Sequence, residues 1–538
     1  MIRIALLLDS MTVPAWVFEC ILQVTKVPNA RLVLAVINES PKSSGEKSPF
    51  LYRVYRYLDR KLLLKQPDAF EKKNLTSIPG WNVPKLRTKP IQKKYSDYFT
   101  SDTLEQIKLA KPDVILRFGF RIIKGDILNL APLGVWSYHH GDPHYYRGGP
   151  PAFWEVMNKQ AVTSAVLMRI TEKLDQGKIL YQSFTQTDPL SVQRNANRLF
   201  WLSSFFVARV LKRIDQLGLE NWERKIQISS ESKPSPLLKP PGTWAMWALG
   251  WNLGLRTIKR KLAEQRHKPH WSLARIGSLS SERKIQLTPE QTQIWEHPHP
   301  KEFYWADPFP ICVGSKNYVF AEEMDKKSGK GRIVCLEEKP DEIAVHPVLE
   351  EPWHFSYPFV WEENDKVYLM PESAEAGKIY RYRAEEFPKV WVKESLFFDG
   401  EAYDPTLLFK DGIYWLFVNQ KVHPACSPFD ELFLYYTSDL AHPQWISHPQ
   451  NPIVSDVRKS RPAGRIFEKG GKWYRPAQDS GLRYGHRIQL QEIQTLSTEQ
   501  YEEITAQTIE PDPKSEALGI HTLNWGENGV FLDYYFRR

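Results

Sequence analysis

A four-residue theme recurs down the second half of the chain. It reads Ala306-Asp307-Pro308-Phe309, then Ser356-Tyr357-Pro358-Phe359, then Tyr403-Asp404-Pro405-Thr406, then Ser460-Arg461-Pro462-Ala463. The prolines return at intervals of about 50 residues, and Gly519-Ile520-His521-Thr522-Leu523-Asn524 stands about one period further on. Between the themes run short segments rich in Val, Ile, Tyr, Trp and Phe. Several close on a hairpin signal such as Glu363-Asn364-Asp365-Lys366 or Lys410-Asp411-Gly412-Ile413. A unit of that length with about four strands cannot bury its sheet alone and must stack on its neighbours around an axis. Five themes predict an all-β five-bladed propeller over 285–538. The polar member of each theme is expected on an innermost strand, converging on the central channel.

The first 225 residues have another texture. Ile2–Leu8 reads as a buried strand, 14–27 as an amphipathic helix and 32–37 as a second strand. That alternation predicts an α/β domain built on a parallel sheet with right-handed crossovers. The first turn, Asp9-Ser10-Met11-Thr12, has no glycine, so a phosphate-cradling dinucleotide loop is not expected. Further strands are expected at 113–118, 164–170 and 178–184, helices at 99–110 and from 151, and one helix over 190–217. Residues 226–284 read as a Pro-rich linker (Pro234, Pro236, Pro240, Pro241) followed by a basic helix.

At 538 residues the chain exceeds one ordinary core. A net charge of +9 leaves nucleic acid, anionic membrane and phosphorylated substrates open and selects none. Four scattered cysteines, Cys20, Cys312, Cys335 and Cys426, imply neither a disulfide framework nor a zinc site, and no metal is expected. The first residues lack a long apolar region and a cleavage site, and no 18-residue apolar run exists. A cytoplasmic location is the expectation.

One stretch of the first domain concentrates chemistry. Val135-Trp-Ser137-Tyr-His139-His140-Gly-Asp142-Pro-His144-Tyr-Tyr-Arg147-Gly148-Gly149 follows the apolar strand Val114-Ile115-Leu116. Imidazoles and glycines crowded behind a strand are the profile of a reactive loop. A second glycine-bearing turn, Lys173-Leu174-Asp175-Gln176-Gly177, comes about 25 residues on. The two segments resemble the signature of the folate-dependent formyltransferases: Asn-x-His, then Arg-Gly-x-x-Pro, then Leu-Asp-x-Gly. The resemblance covers roughly residues 1–200. It puts His139 on the family's histidine, Asp175 on its aspartate and Ser137 where the family has asparagine.

The resemblance implies transfer of a formyl group from N10-formyltetrahydrofolate to an amine. A histidine suits proton transfer and oxyanion stabilisation near neutral pH, with a carboxylate orienting it. Ser137 offers a shorter donor than asparagine. The resemblance also implies that Phe118, Phe120 and Ile122 cover the pteridine ring and that Arg147 and Gly148 form the turn beside it. By composition alone, the apolar segment 118–123 is equally a core element. A one-residue shift would make His140 the working imidazole.

The second half also resembles a family. Trp353–Phe359, Met370-Pro371-Glu372-Ser373, Ser460-Arg461-Pro462-Ala463-Gly464-Arg465 and Tyr474-Arg475-Pro476-Ala477-Gln478-Asp479 look like the N-terminal propeller of glucosamine inositolphosphorylceramide transferases. That propeller is related to glycoside hydrolase family 43. The resemblance puts Asp307 where the furanosidases keep a base and Asp404 where they keep a supporting aspartate, with Glu372 an acid candidate. Arg461 stands where a glutamic acid is expected, which favours binding over hydrolysis. Asp307, Glu372, Asp404, Arg461, Arg465 and Arg475 then form a mixed-charge channel for a sugar or sugar phosphate, unless they pair with one another and tie the blades.

Together these readings imply a formyltransferase whose acceptor is an amino sugar or related amine, with carbohydrate at the propeller. A tRNA acceptor, and nucleic acid in general, is not expected, because the chain ends in a propeller and not in a small barrel. Two rival readings are a glycosidase or glycosyl-transfer enzyme centred on the propeller, and a non-catalytic glycan-binding protein. Finally, Trp244, Trp247, Trp251, Leu255, Ile258 and Leu262 recur at helical spacing, with Lys259, Arg260 and Lys261 among them. This is the pattern of a helix lying on an anionic membrane through 244–262, or of a helix packed between domains.

Overall fold

The computed structural model describes residues 1–40, 48–64, 66–172, 177–228, 236–266, 269–277, 285, 287, 292–340 and 342–537. Asp175 and the Ser/Pro-rich stretch 229–235 therefore lie outside the described residues. The chain divides into two compact units, Met1–Thr257 with Val422–Ser427, and Ile258–Lys421 with Pro428–Arg538.

In the first unit the strands are β1 (Ile2–Leu8), β2 (Ala30–Asn38), β3 (Lys85–Thr88), β4 (Val114–Arg117), β5 (Val135–His139), β6 (Val162–Arg169), β7 (Lys178–Gln186) and β8 (Gln227–Ile228). They form one sheet in the order β8-β7-β6-β5-β4-β1-β2-β3. β3, β2, β1, β4 and β5 run parallel, whereas β6, β7 and β8 are antiparallel. The sheet is thus mixed and not the all-parallel one expected. Only eight positions separate β6 from β7, fewer than the roughly dozen that a parallel crossover needs, whereas the β5–β6 connection is longer and holds the short helix Phe153–Met157.

From Ile4 to Leu8 β1 is apolar without interruption because both its faces are covered. Ile4, Leu6 and Leu8 enter a core shared with Trp16, Leu199 and Phe206. Ala5 and Leu7 enter another shared with Ile107 and Ile127. The helices are α1 (Ala15–Thr25), α2 (Phe50–Leu63), α3 (Ser101–Leu109), α4 (Phe153–Met157), α5 (Val192–Ser203), α6 (Phe206–Leu217), α7 (Leu219–Lys225) and α8 (Thr243–Arg266). The single helix expected over 190–217 is two. Ser203 and Ser204 turn their hydroxyls onto the carbonyls of Phe200 and Trp201, which competes with helix continuation. Buried Asp59 of α2 accepts from Ser191 Oγ and Gln193 N, fixing α2 to the start of α5.

The strand order reverses between β1 and β4, and such reversals open a crevice at the strands' carboxyl ends. The chain crosses there on Gly119. A Cβ at that position would lie 2.3 Å from the backbone nitrogen of Asp9, so only glycine fits. The amide of Phe120 then donates to Asp9 Oδ1 at 2.7 Å.

The second unit contains, among the described residues, five antiparallel sheets of four or five strands. The first pairs Pro269–Ile276 with Gly529–Arg537, joining the two ends of the unit, and adds Thr292–Trp295 and Leu523–Gly526. Pro269–Ile276 is therefore a sheet strand inside the span read as linker and helix. The other four sheets begin at Phe303, Ser356, Tyr403 and Arg461, each at one of the proline themes.

Gly119→Ala should lower stability by about 1–3 kcal/mol or more, as overpacking against backbone does. Denaturant unfolding of the two proteins checks this, with loss of the 115–139 crevice geometry expected alongside.

Candidate functional site

In the first unit, three side chains from two strand ends meet at one cavity of about 110 Å³. Arg117 ends β4, and Ser137 and His139 end β5; Ile122, Met168 and Glu172 also line it. Ser137 is buried, and its Oγ accepts from Arg117 Nη1 at 3.0 Å. The same guanidinium holds the loop ahead of it through the carbonyls of Phe120 and Arg121 at 3.1 and 2.7 Å. His139 Nε2 lies 2.8 Å from the carbonyl oxygen of Tyr146. A carbonyl only accepts, so Nε2 carries the hydrogen and a neutral ring has its lone pair on Nδ1. Glu172 and Gly177, which bracket the stretch containing Asp175, both line the cavity.

His140 occupies different ground. It stacks on Phe200 with ring centres 3.6 Å apart, and its Nε2 meets Ser203 Oγ at 3.0 Å. Burial, helped by neighbouring His139, pushes its pKa down to about 3, so this ring is neutral at physiological pH. Of the apolar segment, Ile122 and Ile123 face the cavity. Phe118 packs on Trp16 and Tyr138, and Phe120 packs on Phe99 in the core. Arg147 and Gly148 pair as a short parallel ladder with Leu237 and Leu238. Gly148 is needed because a Cβ there would lie 2.4 Å from the Leu238 carbonyl oxygen. Neither residue is among those lining the cavity.

Glu155 of α4 is buried, and its Oε1 has no hydrogen-bond partner among the described residues. Burial pushes its carboxyl up to about 7.

In the second unit the themes do converge. Asp307, Tyr357 and Asp404 occupy the same bulged position, each with positive φ at 52°, 44° and 47°. Each of their amides ends on a buried carboxylate: Asp307 N on Asp533 Oδ2 at 3.0 Å, Tyr357 N on Asp307 Oδ2 at 3.1 Å, Asp404 N on Glu372 Oε2 at 3.1 Å. Arg461 holds the fourth theme and forks onto Asp404, with Nη2 to Oδ1 at 2.9 Å and Nε to Oδ2. Its guanidinium also lies over the rings of Phe429 and Tyr484. Gln478 Nε2 adds a bond to Asp404 at 3.1 Å.

Charge is sorted within this cluster. Asp404 is held below its ordinary value: burial works against its ionised form, but Arg461 outweighs it. Burial pushes Glu372 well up, with Asp404 adding to the effect. Burial and nearby carboxylates push Asp307 up to about 6, against the pull of His521. His521 lies 2.6 Å from Asp533 and 3.6 Å from Asp307 and stacks on Trp271; burial opposes its charge, and these carboxylates raise it nonetheless. Asp307, His521 and Asp533 present ligand atoms within 4.8 Å of one another. Asp533 is already engaged by the amides of Asp307, His521 and Thr522.

The remaining two arginines sit apart from this cluster. Arg475 is fully buried against Glu503 and the carbonyls of Lys459 and Ser460. Arg465 bonds the carbonyls of Pro310 and Val360 and lies over Phe309 and Phe359. Sequence reasoning missed Arg117 and Asp533. A charge closing the apolar run Val114-Ile115-Leu116 was the available signal for Arg117. Asp533 sits inside a strand, where only pairing shows which way a side chain turns.

Two tests follow from these environments. Arg461→Met or Asp404→Asn alone should cost about 3–5 kcal/mol in denaturant unfolding, and the double substitution less than the sum, because each single change leaves a buried charge without its partner. For Glu155 the folded pKa stands above the unfolded one. Stability is therefore whole below the unfolded value of 4.5 and falls as pH rises towards about 7. Glu155→Gln should remove that fall, gaining about 3 kcal/mol over the parent at pH 8 and little at pH 4.

Residues 291–518 match the family model for the N-terminal region of glucosamine inositolphosphorylceramide transferase 1. Glucosamine inositolphosphorylceramide transferase 1 of Arabidopsis thaliana is 34% identical over 206 residues, 37% of this chain and 27% of that one. The methionyl-tRNA formyltransferase of Chlorobium chlorochromatii is 26% identical over 198 residues, 36% of this chain and 59% of that one. A solved family 43 β-xylosidase/α-arabinofuranosidase from a compost metagenome is similar at a TM-score of 0.33 and 14% identity, covering 45% of this chain and 93% of that one. The chain spans less than two thirds of the length of either of these transferases. It thus joins an α/β region similar to the formyltransferases to a β-rich region that matches the glucosamine inositolphosphorylceramide transferase 1 N-terminal family.

Proposed function

We propose that the first unit transfers a formyl group from N10-formyltetrahydrofolate to an amine, that of an amino sugar or glycan precursor. The observation that carries this is the meeting of Arg117, Ser137 and His139 at one cavity on the carboxyl edge of the parallel strands, lined also by Glu172 and Gly177. The unprotonated amine attacks the formyl carbon and its new C–N bond forms a tetrahedral intermediate. The oxyanion takes hydrogen bonds from the Arg117 guanidinium and the Ser137 hydroxyl, which lie 3.0 Å apart. His139 takes the amine's proton on Nδ1 and delivers it to N10 as the C–N10 bond breaks, leaving a formamide and tetrahydrofolate. In this reading Arg117 supplies the donor that a serine in place of asparagine fails to provide. Cations fixed by backbone carbonyls need little reorganisation as charge develops.

In the same reading the five sheets are the blades of a five-bladed propeller, and its channel recognises the carbohydrate portion of the acceptor. The fork of Arg461 on Asp404 supports recognition over hydrolysis, since it commits both groups to each other. The similarity to a transferase named for an inositolphosphorylceramide acceptor is consistent with a glycan-linked substrate.

Calorimetric titration of the full chain with a non-reactive folate analogue tests this. Wild type should release heat and lose it on Ile122→Asp. His139→Ala should keep binding but lower formyl transfer to a glucosamine-type amine about 10²–10⁴-fold. Absence of analogue binding by wild type overturns the reading.

A further inference from the structure

α8 carries two apolar faces, and among the described residues only one of them is buried. Met246 and Leu249 are buried in a cluster with Tyr52, Phe153, Val156 and Val192. Arg256 anchors the same helix by donating to the carbonyls of Val156 and Pro189 at 3.0 and 2.8 Å. On the opposite side Trp244, Trp247 and Trp251 are 87%, 66% and 72% exposed, and Leu255, Ile258 and Leu262 continue the series. At about 100° per residue these six positions fall within one narrow stripe along the helix. Lys259 and Lys261 flank that stripe on its two sides. From 243 to 266 the sequence has five basic residues and a single acidic one, Glu264.

α2, which packs on the same cluster through Tyr52, has the same character. Phe50, Tyr57 and Leu62 are exposed on it, with Arg53 lying over the Phe50 ring and Lys61 over the Tyr57 ring. A water-exposed stripe of three tryptophans is not explained by folding, because the helix is already held by its other face. Tryptophan rings with cationic flanks suit the headgroup layer of an anionic bilayer, where the ring is half-immersed and the ammonium groups meet phosphate. No helix among the described residues is long and apolar enough to cross a membrane, so the fitting mode is to lie in the interface.

We propose that the exposed stripe of α8, with Lys259 and Lys261 beside it, docks the protein on an anionic lipid surface. The opposite sign of charge is what favours lipid over a second copy of this chain, whose own stripe carries the same positive flanks. This docking is independent of the formyl-transfer reading and stands or falls separately.

The test is co-sedimentation of the full chain with vesicles of phosphatidylcholine alone and of equimolar phosphatidylserine and phosphatidylcholine. Binding to the anionic vesicles should be at least tenfold tighter and weaken with salt, as roughly fivefold per basic group at the surface implies. Trp244→Ser with Trp247→Ser and Trp251→Ser should weaken it about tenfold or more, with an unchanged unfolding midpoint. Lys259→Glu with Lys261→Glu should erase the preference for the anionic vesicles while the tryptophans stay in place; this second variant serves if the first does not fold. No pelleting by wild type overturns the proposal. So does pelleting that neither variant alters. A dimer that the tryptophan variant dissolves, without vesicle binding by wild type, likewise overturns it and assigns the stripe to self-association.

Discussion

Three amides in left-handed conformation, those of Asp307, Tyr357 and Asp404, all end on buried carboxylates. Left-handed backbone at a residue other than glycine costs on the order of 1 kcal/mol or more and persists only where the surroundings demand it. Here the demand is reciprocal. Each bulge aims its amide at a carboxylate contributed by another sheet, and each buried carboxylate would be prohibitively desolvated without such donors. The same residues therefore hold the sheets together and set the charge of the cluster they enclose. Arg461 lays its guanidinium directly on it, and Asp404 stays ionised because of that contact.

The first unit solves a different problem. Its central strand is covered on both faces, so chemistry can only be presented at strand ends. Gly119 lets the chain cross the end of β1 without a side chain, and Arg117 then reaches back over the gap to Ser137. Polar groups at this edge are thus fixed by backbone carbonyls of Phe120, Arg121 and Tyr146.

Much of this was legible in the residues. The recurring proline themes marked the first strand of four sheets, because a proline after a bulged residue is a local requirement that repeats with the fold. The apolar runs 4–8, 32–37 and 114–116 marked central strands, because burial on both faces leaves no alternation to confuse the reading. Other features were hidden. Three antiparallel strands sit where a parallel sheet was expected, since strand direction depends on what the connection spans and not on strand composition. Adjacent His139 and His140 carry the same side chain, yet His139, the last residue of β5, lines the cavity while His140, just beyond the strand, stacks on Phe200. Arg465 and Arg475 read as channel cations, and both turn to carbonyls and Glu503 instead.

The sequence by itself determined the two textures of the chain, the strands that must be buried, the repeat, and the positions where a histidine, a serine and several carboxylates could do chemistry. These follow from local composition and spacing, which act between near neighbours. Only the tertiary structure decided which of those groups meet: Arg117 with Ser137, Asp404 with Arg461, Asp307 with His521 and Asp533. It also decided that the tryptophans of α8 face water while Met246 and Leu249 face the core. Partners that lie 20, 57 or more than two hundred positions apart are chosen by strand register and the packing of whole elements, and no short stretch of residues encodes that choice.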